Sequence, residues 1–302
     1  MPITASQVKE LRTKTGAGMM DCKKALQETD GDIAKAVDFL REKGLAAAAK
    51  KAGRIAAEGA VVAAQSTDGT AGCIVEVNSE TDFVAKNDTF RTFAATIAEH
   101  ILTHDPTDVE ALLAQPMGDG RSVSELVKEQ IATIGENLAI RRFARFGGDG
   151  KVATTYIHMQ GKIGVLVEME GDGAAQAAEV GRDIAMHIAA SNPLALQRAD
   201  LDEAEVDHER QIFAAQAKES GKPEKVIDKI VTGRLEKFFA ANCLLEQPFV
   251  KDTDITVHQL LTAKAKELGG PITLTRFVRF ELGEGLEKRN EDFAAEVAAQ
   301  LG

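Results

Sequence analysis

Residues 72–78 read GCIVEVN and residues 164–170 read GVLVEME, one pattern repeated at an offset of 92. Apolar residues at alternate positions mark a strand with one face in a core. A second strand-like stretch precedes each copy, EGAVVAAQ at 58–65 and VATTYIHMQ at 152–160, so each half is expected to open with a hairpin. Downstream, TIAEHI at 96–101 resembles DIAMHI at 183–188 (offset 87), and RRFARF at 141–146 resembles TRFVRF at 275–280 (offset 134). Three likenesses in one order imply two subdomains of similar topology, and the expected fold class is α+β.

The rise in offset from 87 to 134 gives the second half about 47 additional residues between its helix and its last strand. Their spacing is helical. Ile212, Phe213 and Ala217 lie on one arm and Ile227, Ile230, Val231, Leu235 and Phe238 on the other, reversing at SGKP, 220–223. Gly221 suits a helix end and Pro223 a helix start, so an antiparallel helical hairpin is expected, a surface for a partner or for self-association. At the N-terminus, Thr4 and Gln7 have capping-box spacing ahead of Val8 and Leu11; Met19, Cys22 and Leu26 mark a second helix. Ile33, Ala36, Val37 and Leu40 mark a third, stopping at Gly44, and LAAAAKKAGR at 45–54 reads as a semi-rigid helical linker. The expected division is a three-helix docking module with its linker over 1–54, core subdomains over 55–147 and over 148–199 with 246–285, the inserted hairpin over 200–245, and a C-terminal helical module over 286–302.

At 302 residues and 44% apolar, the chain can bury a sizeable core. It contains no apolar run of spanning length and its N-terminus lacks the apolar stretch of a signal peptide, so a cytoplasmic protein is expected. Cys22, Cys73 and Cys243 are widely spaced without a CxxC, which points to reduced thiols. The net charge of −11 is uneven: residues 1–54 carry 11 Lys and Arg against 7 Asp and Glu, and the remainder 25 against 40. A basic module on an acidic body favours a protein partner over nucleic acid, whose phosphates the body would repel. Phe39 is the one aromatic in residues 1–54, too little for a base-stacking platform.

No catalytic constellation is present: there is no phosphate loop, HExxH or GxSxG, and GGDGK at 147–151 reads as a hairpin turn between two strands. No cofactor, metal or enzyme activity is expected. His100 and His104 have a ligand spacing but no complementary Cys or carboxylate nearby, and the plainer reading is of histidines at a helix end. The stretch SETDFVAKND, 79–88, remains: its Phe83 falls on neither the strand face of Cys73, Val75 and Val77 nor the helix face of Phe90, Phe93, Ala94, Ile97 and Ile101. It is either a hydrophobic staple beside a capping Asp82, or an aromatic offered to a partner together with a carboxylate.

LRTKTGAGMMDCKKAL at 11–26, RIAAEGAV at 54–61, ETDFVAKN at 80–87, LLEQPFVKD at 244–252 and RFELGEGLEKRNEDFAAEV at 279–297 closely resemble the bacterial elongation factor Ts family. The likeness runs nearly end to end; THDPTDVEALLAQPMGDGR at 103–121 matches no family motif. The resemblance implies guanine-nucleotide exchange on elongation factor Tu, with Thr81, Asp82, Phe83 and Val84 pressed near that GTPase's magnesium site. It further implies docking of Arg12, Met19, Met20 and Lys23, Met19 having a core position as its alternative, and a contact at His158, whose plain reading is a solvated strand residue.

Overall fold

The structure is a computed structural model describing residues 3–219 and 223–287. Three helices come first: α1 (Ala5–Thr15), opened by the expected Thr4–Gln7 capping box, α2 (Met19–Glu28) and α3 (Ile33–Lys51). Leu11, Cys22, Ala25, Leu26 and Ala36 form their core. The expected stop at Gly44 is overturned, because α3 continues seven residues beyond it into the alanine-rich stretch taken for a linker. Gly44 is buried, and a Cβ there would lie 3.1 Å from Cβ of Ala132 on a later helix. The glycine permits close helix packing, and the alanines that follow have the highest helix propensity.

The first half of the body runs β1 (Glu58–Gln65), β2 (Ala71–Ser79), the single turn α4 (Asp82–Ala85), α5 (Asp88–His104), α6 (Val109–Ala114), α7 (Val123–Ile134) and β3 (Leu138–Gly147). The second runs β4 (Lys151–His158), β5 (Ile163–Glu170), α8 (Ala178–Ser191), the long pair α9 (Glu203–Glu219) and α10 (Glu224–Asn242), a short hairpin β6 (Pro248–Phe249) with β7 (Asp252–Thr256), α11 (Val257–Leu268) and β8 (Thr273–Glu281). The fold is α+β. Two antiparallel sheets, ordered β1-β2-β3 and β4-β5-β8, repeat one topology with the quoted strands at their centres. GGDGK is not a hairpin turn: β3 and β4 belong to different sheets, and Gly147 and Gly148, at φ of +135° and +147°, carry the chain across.

The repeat reaches further than its strands. Ser122–Glu125 and Thr256–Gln259 are matching capping boxes on α7 and α11. His100 Nε2 lies 2.9 Å from Gln115 Oε1, and His187 Nε2 lies 2.8 Å from Gln247 Oε1. Residues 103–121 are thus the counterpart of the second half's long excursion: Leu112 and Leu113 stand before Gln115 as Leu244 and Leu245 stand before Gln247, in each case packed on the core of their own half, and the pair α9 and α10 is additional to the second half. Ala217, Ile227 and Leu235 are buried in that pair, and Arg198 holds its base through Glu236, Glu246 and a stack on Phe239 at 4.5 Å. Pro223 is the N-cap of α10; Gly221 and the expected tail helix of NEDFAAEVAAQL lie outside the described residues.

One face of each sheet packs under its own helices, and the other faces meet. Val61, Ile74 and Phe146 of the first half pack with Ala153, Leu166, Phe280 and Leu282 of the second. The arrangement is reciprocal, as in a two-fold dimer interface. Buried Glu76 accepts hydrogen bonds from Arg141, from Arg142 and from the backbone N–H of Gly283 in the other half. Buried Glu168 accepts them from Thr275, from Arg276 and from the N–H of Gly147, again in the other half. Arg142 stacks on Phe280 at 4.4 Å and Arg276 on Phe146 at 4.1 Å. Burial opposes ionisation of Glu76, yet the Gly283 N–H and the two guanidiniums outweigh it and hold the carboxyl below its ordinary range.

Candidate partner-docking site

Between β2 and α5 the chain turns a corner whose polar residues face inward and whose aromatic faces out. Thr81 donates through its backbone N–H to Glu136 Oε2 at 2.9 Å and through its hydroxyl to Glu136 Oε1 at 2.7 Å, while its own Oγ1 accepts from Val84 N and caps α4. Glu80 Oε1 accepts the N–H of Asn137 at 2.6 Å and pairs with Arg54 at 3.4 Å. Val84 and Ala85, half-buried, pack against the first-half core. With one face latched and the other packed, the remaining direction belongs to Phe83, which is 79% exposed. The staple reading is therefore overturned: Phe83 does not fold back, and Thr81 and Asn87, not Asp82, cap the two helices. Asp82, half-exposed, pairs with Lys86 at 2.7 Å, and that hydrogen bond lowers its carboxyl below the ordinary range.

The N-terminal candidates sit on the rim of the three-helix module. Met19 and Met20 are 59% and 72% exposed, so a core position for Met19 is excluded; Arg12 and Lys23 are exposed too. Gly18 precedes α2, and Cys22, one turn after Gly18, turns the apolar stripe inward instead. His158, at the end of β4, is exposed, with Nδ1 3.0 Å from the Tyr156 hydroxyl. The pair His100 and His104 stacks at 4.1 Å, and the described residues contain no group of three or more side chains able to hold a metal ion. No described helix is long and apolar enough to cross a membrane.

Comparison with known proteins places the chain in a family. The family described as Elongation factor TS matches residues 80–284, a span that opens at Glu80. The elongation factor Ts of Trichlorobacter lovleyi is 55% identical over 309 residues, covering 100% of this chain and 99% of its own. The protein of the same name from Clostridium perfringens strain SM101 is 52% identical over 301 residues, covering 99% of both chains. That of Syntrophotalea carbinolica is 55% identical over 303 residues, again with 99% of both covered. The chain belongs to the elongation factor Ts family.

It is thus a translation elongation factor. Within this member of the elongation factor Ts family, sequence patterning passes over the side chains that build the corner: Glu80, Glu136, Asn137 and Arg54. Glu136 bonds to a residue 55 positions away, which no local period reveals. One signal does exist. The offset between the halves falls from 92 at the strands to 87 at the following helices, so five residues present in the first half have no counterpart in the second. That excess falls between the central strand and the following helix, the stretch that contains Phe83: at the helix offset α5 begins three residues earlier than α8, and the connection 80–87 is one residue longer than 171–177.

Proposed function

We propose that the chain is a guanine-nucleotide exchange factor for elongation factor Tu, acting in the cytoplasm without covalent chemistry of its own. It binds Tu·GDP, disturbs the magnesium and phosphate site through Asp82 and Phe83, and leaves when GTP binds. The observation that carries this reading is Phe83, 79% exposed on a one-turn helix held by Glu136. An exposed ring gains about 1.5–3 kcal/mol when a partner buries it, and each 1.4 kcal/mol is about tenfold in affinity. Magnesium bridges the nucleotide phosphates, so distortion of its site loosens metal and nucleotide together. Coupling is reciprocal: GDP loosens by the same factor by which the chain prefers nucleotide-free Tu, and incoming nucleotide expels the chain by that factor. No general acid or base is needed. Arg12, Met19, Met20 and Lys23 serve as the docking surface of residues 1–54, where soft Met side chains suit an adaptable contact; His158 supplies a contact from the second half.

The experiment is release of fluorescent GDP from purified elongation factor Tu, with and without this chain. Acceleration by orders of magnitude is expected, reduced about tenfold or more by Phe83→Ala. The variant should lose under about 0.5 kcal/mol of stability, as an exposed position does, and its defect should shrink once the metal is chelated. Absence of acceleration sinks the reading, and so does a Phe83→Ala variant that melts early yet exchanges normally.

A further inference from the structure

The β4–β5 turn carries a feature that the exchange reading leaves unused. Met159 and Gln160 both have positive φ, 48° and 56°. Asp30, Asp105 and Asn192 share that region, but their short polar side chains tolerate it, whereas Met and Gln carry its steric cost uncompensated. The fold does not demand this. The equivalent β1–β2 turn closes with Gly69 at the positive φ and with Asp68 accepting from the Ser66 hydroxyl and the Thr70 N–H. In place of that relaxed polar turn, the second half holds a methionine up at 67% exposure. Strain held beside an exposed apolar tip is a pattern of contact sites.

Its location is specific. A Cβ on Gly161 would lie 2.8 Å from Ala60, so the turn is pressed onto the start of β1. Lys162 pairs with Glu58, the first residue of β1, at 2.9 Å, and Leu282 donates its N–H to the Lys162 carbonyl at 2.9 Å. Glu58 in turn pairs in register with Ser79, where the Phe83 corner begins. Besides the hydrogen bond from Lys86, the charge of Lys162 reaches Asp82 and lowers its carboxyl. The start of β1 is therefore flanked by two exposed apolar tips, Phe83 from the first half and Met159 from the second.

We propose that Met159 is a second apolar prong that inserts into the same GTPase surface as Phe83, held in its inserting conformation by the left-handed turn. This rests on the exchange reading above. The mount is set before binding, so the ordering of the turn is not charged against association, and a flexible thioether fits an apolar cleft beside the one taken by the ring.

The test is stopped-flow release of fluorescent GDP from elongation factor Tu with three variants of the full chain. Met159→Asn keeps a residue that adopts left-handed φ readily and removes the apolar tip; release is expected to slow on the order of tenfold, with a melting temperature at or above that of the parent. Met159→Leu restores the apolar tip and should stay within about twofold of the parent. Gln160→Gly relieves the strain next door and should melt later; an unchanged melting temperature means that the turn stores no strain and overturns the left-handed mount. A Met159→Asn variant exchanging at the parental rate overturns the prong, and so does one slowed no more than Met159→Leu. Phe83→Ala in the same assay separates the two ideas. If Phe83→Ala is slow and Met159→Asn is not, the prong alone fails; if Met159→Asn is slow and Phe83→Ala is not, the prong stands and the role of Phe83 falls.

Discussion

The two halves turn the same corner after their central strands and reach opposite outcomes. In the first, Glu80 and Thr81 reach across to Asn137 and Glu136 with side-chain hydrogen bonds, and the chain between them is left to stand off and expose Phe83. In the second, the glycines of EGDGAAQ let backbone lie on backbone: Gly173 N donates to the Pro271 carbonyl at 3.1 Å, and Ala174 and Ala177 are fully covered. Asn137 and Pro271 both lie in the loop before the last strand of their half. The same pair of loops meets in both cases. Side-chain reach makes a projecting site; glycine contact makes a closed joint. A duplicated scaffold can thus dedicate one copy of a corner to a partner while the other copy serves packing.

Breaking the closed joint should have the larger effect on stability. Gly171 has φ +114°, and a Cβ on it would lie 2.2 Å from the Pro271 carbonyl oxygen. Gly171→Ala is expected to cost about 1–3 kcal/mol from backbone conformation alone, read as a lower denaturant midpoint, while the folded fraction exchanges nucleotide at the parental rate. An equal loss of exchange would mean that the second corner is also a contact. Opening the projecting corner comes next. Glu136→Ala removes both acceptors of Thr81, with an expected cost of about 1–2 kcal/mol and a several-fold slower GDP release, because Phe83 keeps its ring but not its mount. Unchanged release would show that Phe83 works from an unlatched loop.

The smallest effect concerns the His–Gln pairs that lie deeper in each half. Burial lowers the imidazole of His187, against the hydrogen bond with Gln247; His100 is lowered likewise by burial, against Gln115. Nδ1 of His187 accepts the Val250 N–H at 3.1 Å, so Nε2 carries the proton toward Gln247. A histidine depressed in the folded state binds its proton more readily when unfolded. Its stabilising contribution is complete above the unfolded value near 6.5 and declines as pH falls from there through the folded value. Urea titrations across pH 7.5 to 5 should show that decline, and His187→Gln should flatten it more than His100→Gln, because His187 is the more completely buried. Parallel pH profiles for the parent and both variants would assign the slope to other groups.

Strands and long helices were legible because each buries a periodic face: Cys73, Val75 and Val77 alternate, and Phe90, Phe93, Ile97 and Ile101 recur every three or four residues. Ambiguity began with residues that serve two physical purposes. Gly44 reads as a helix stop but permits a close crossing, and Met19 reads equally as a docking residue or a core residue and stands exposed. GGDGK has the composition of a hairpin and is a crossing between sheets, since composition fixes a turn and says nothing about which strands pair. The outward direction of Phe83 depends on Glu136, and the turn that carries Met159 is packed on Ala60 through Gly161 and tied to Glu58 through Lys162, so neither could be read from its own neighbours.

The exchange of partners between the two sheets sets a schedule for synthesis. Glu76 finds its backbone donor at Gly283, 207 residues later in the chain. At translation rates of about 5–20 residues per second, that donor arrives roughly 10–40 s after Glu76 is made. Until then the flank of the first half is only partly covered: Ala153 and Leu166 are made before Phe280 and Leu282, and Glu76 has its arginines without the Gly283 N–H. A protein of the elongation machinery is therefore itself incomplete until β8, the last strand among the described residues, and the Gly283 that follows it have been translated.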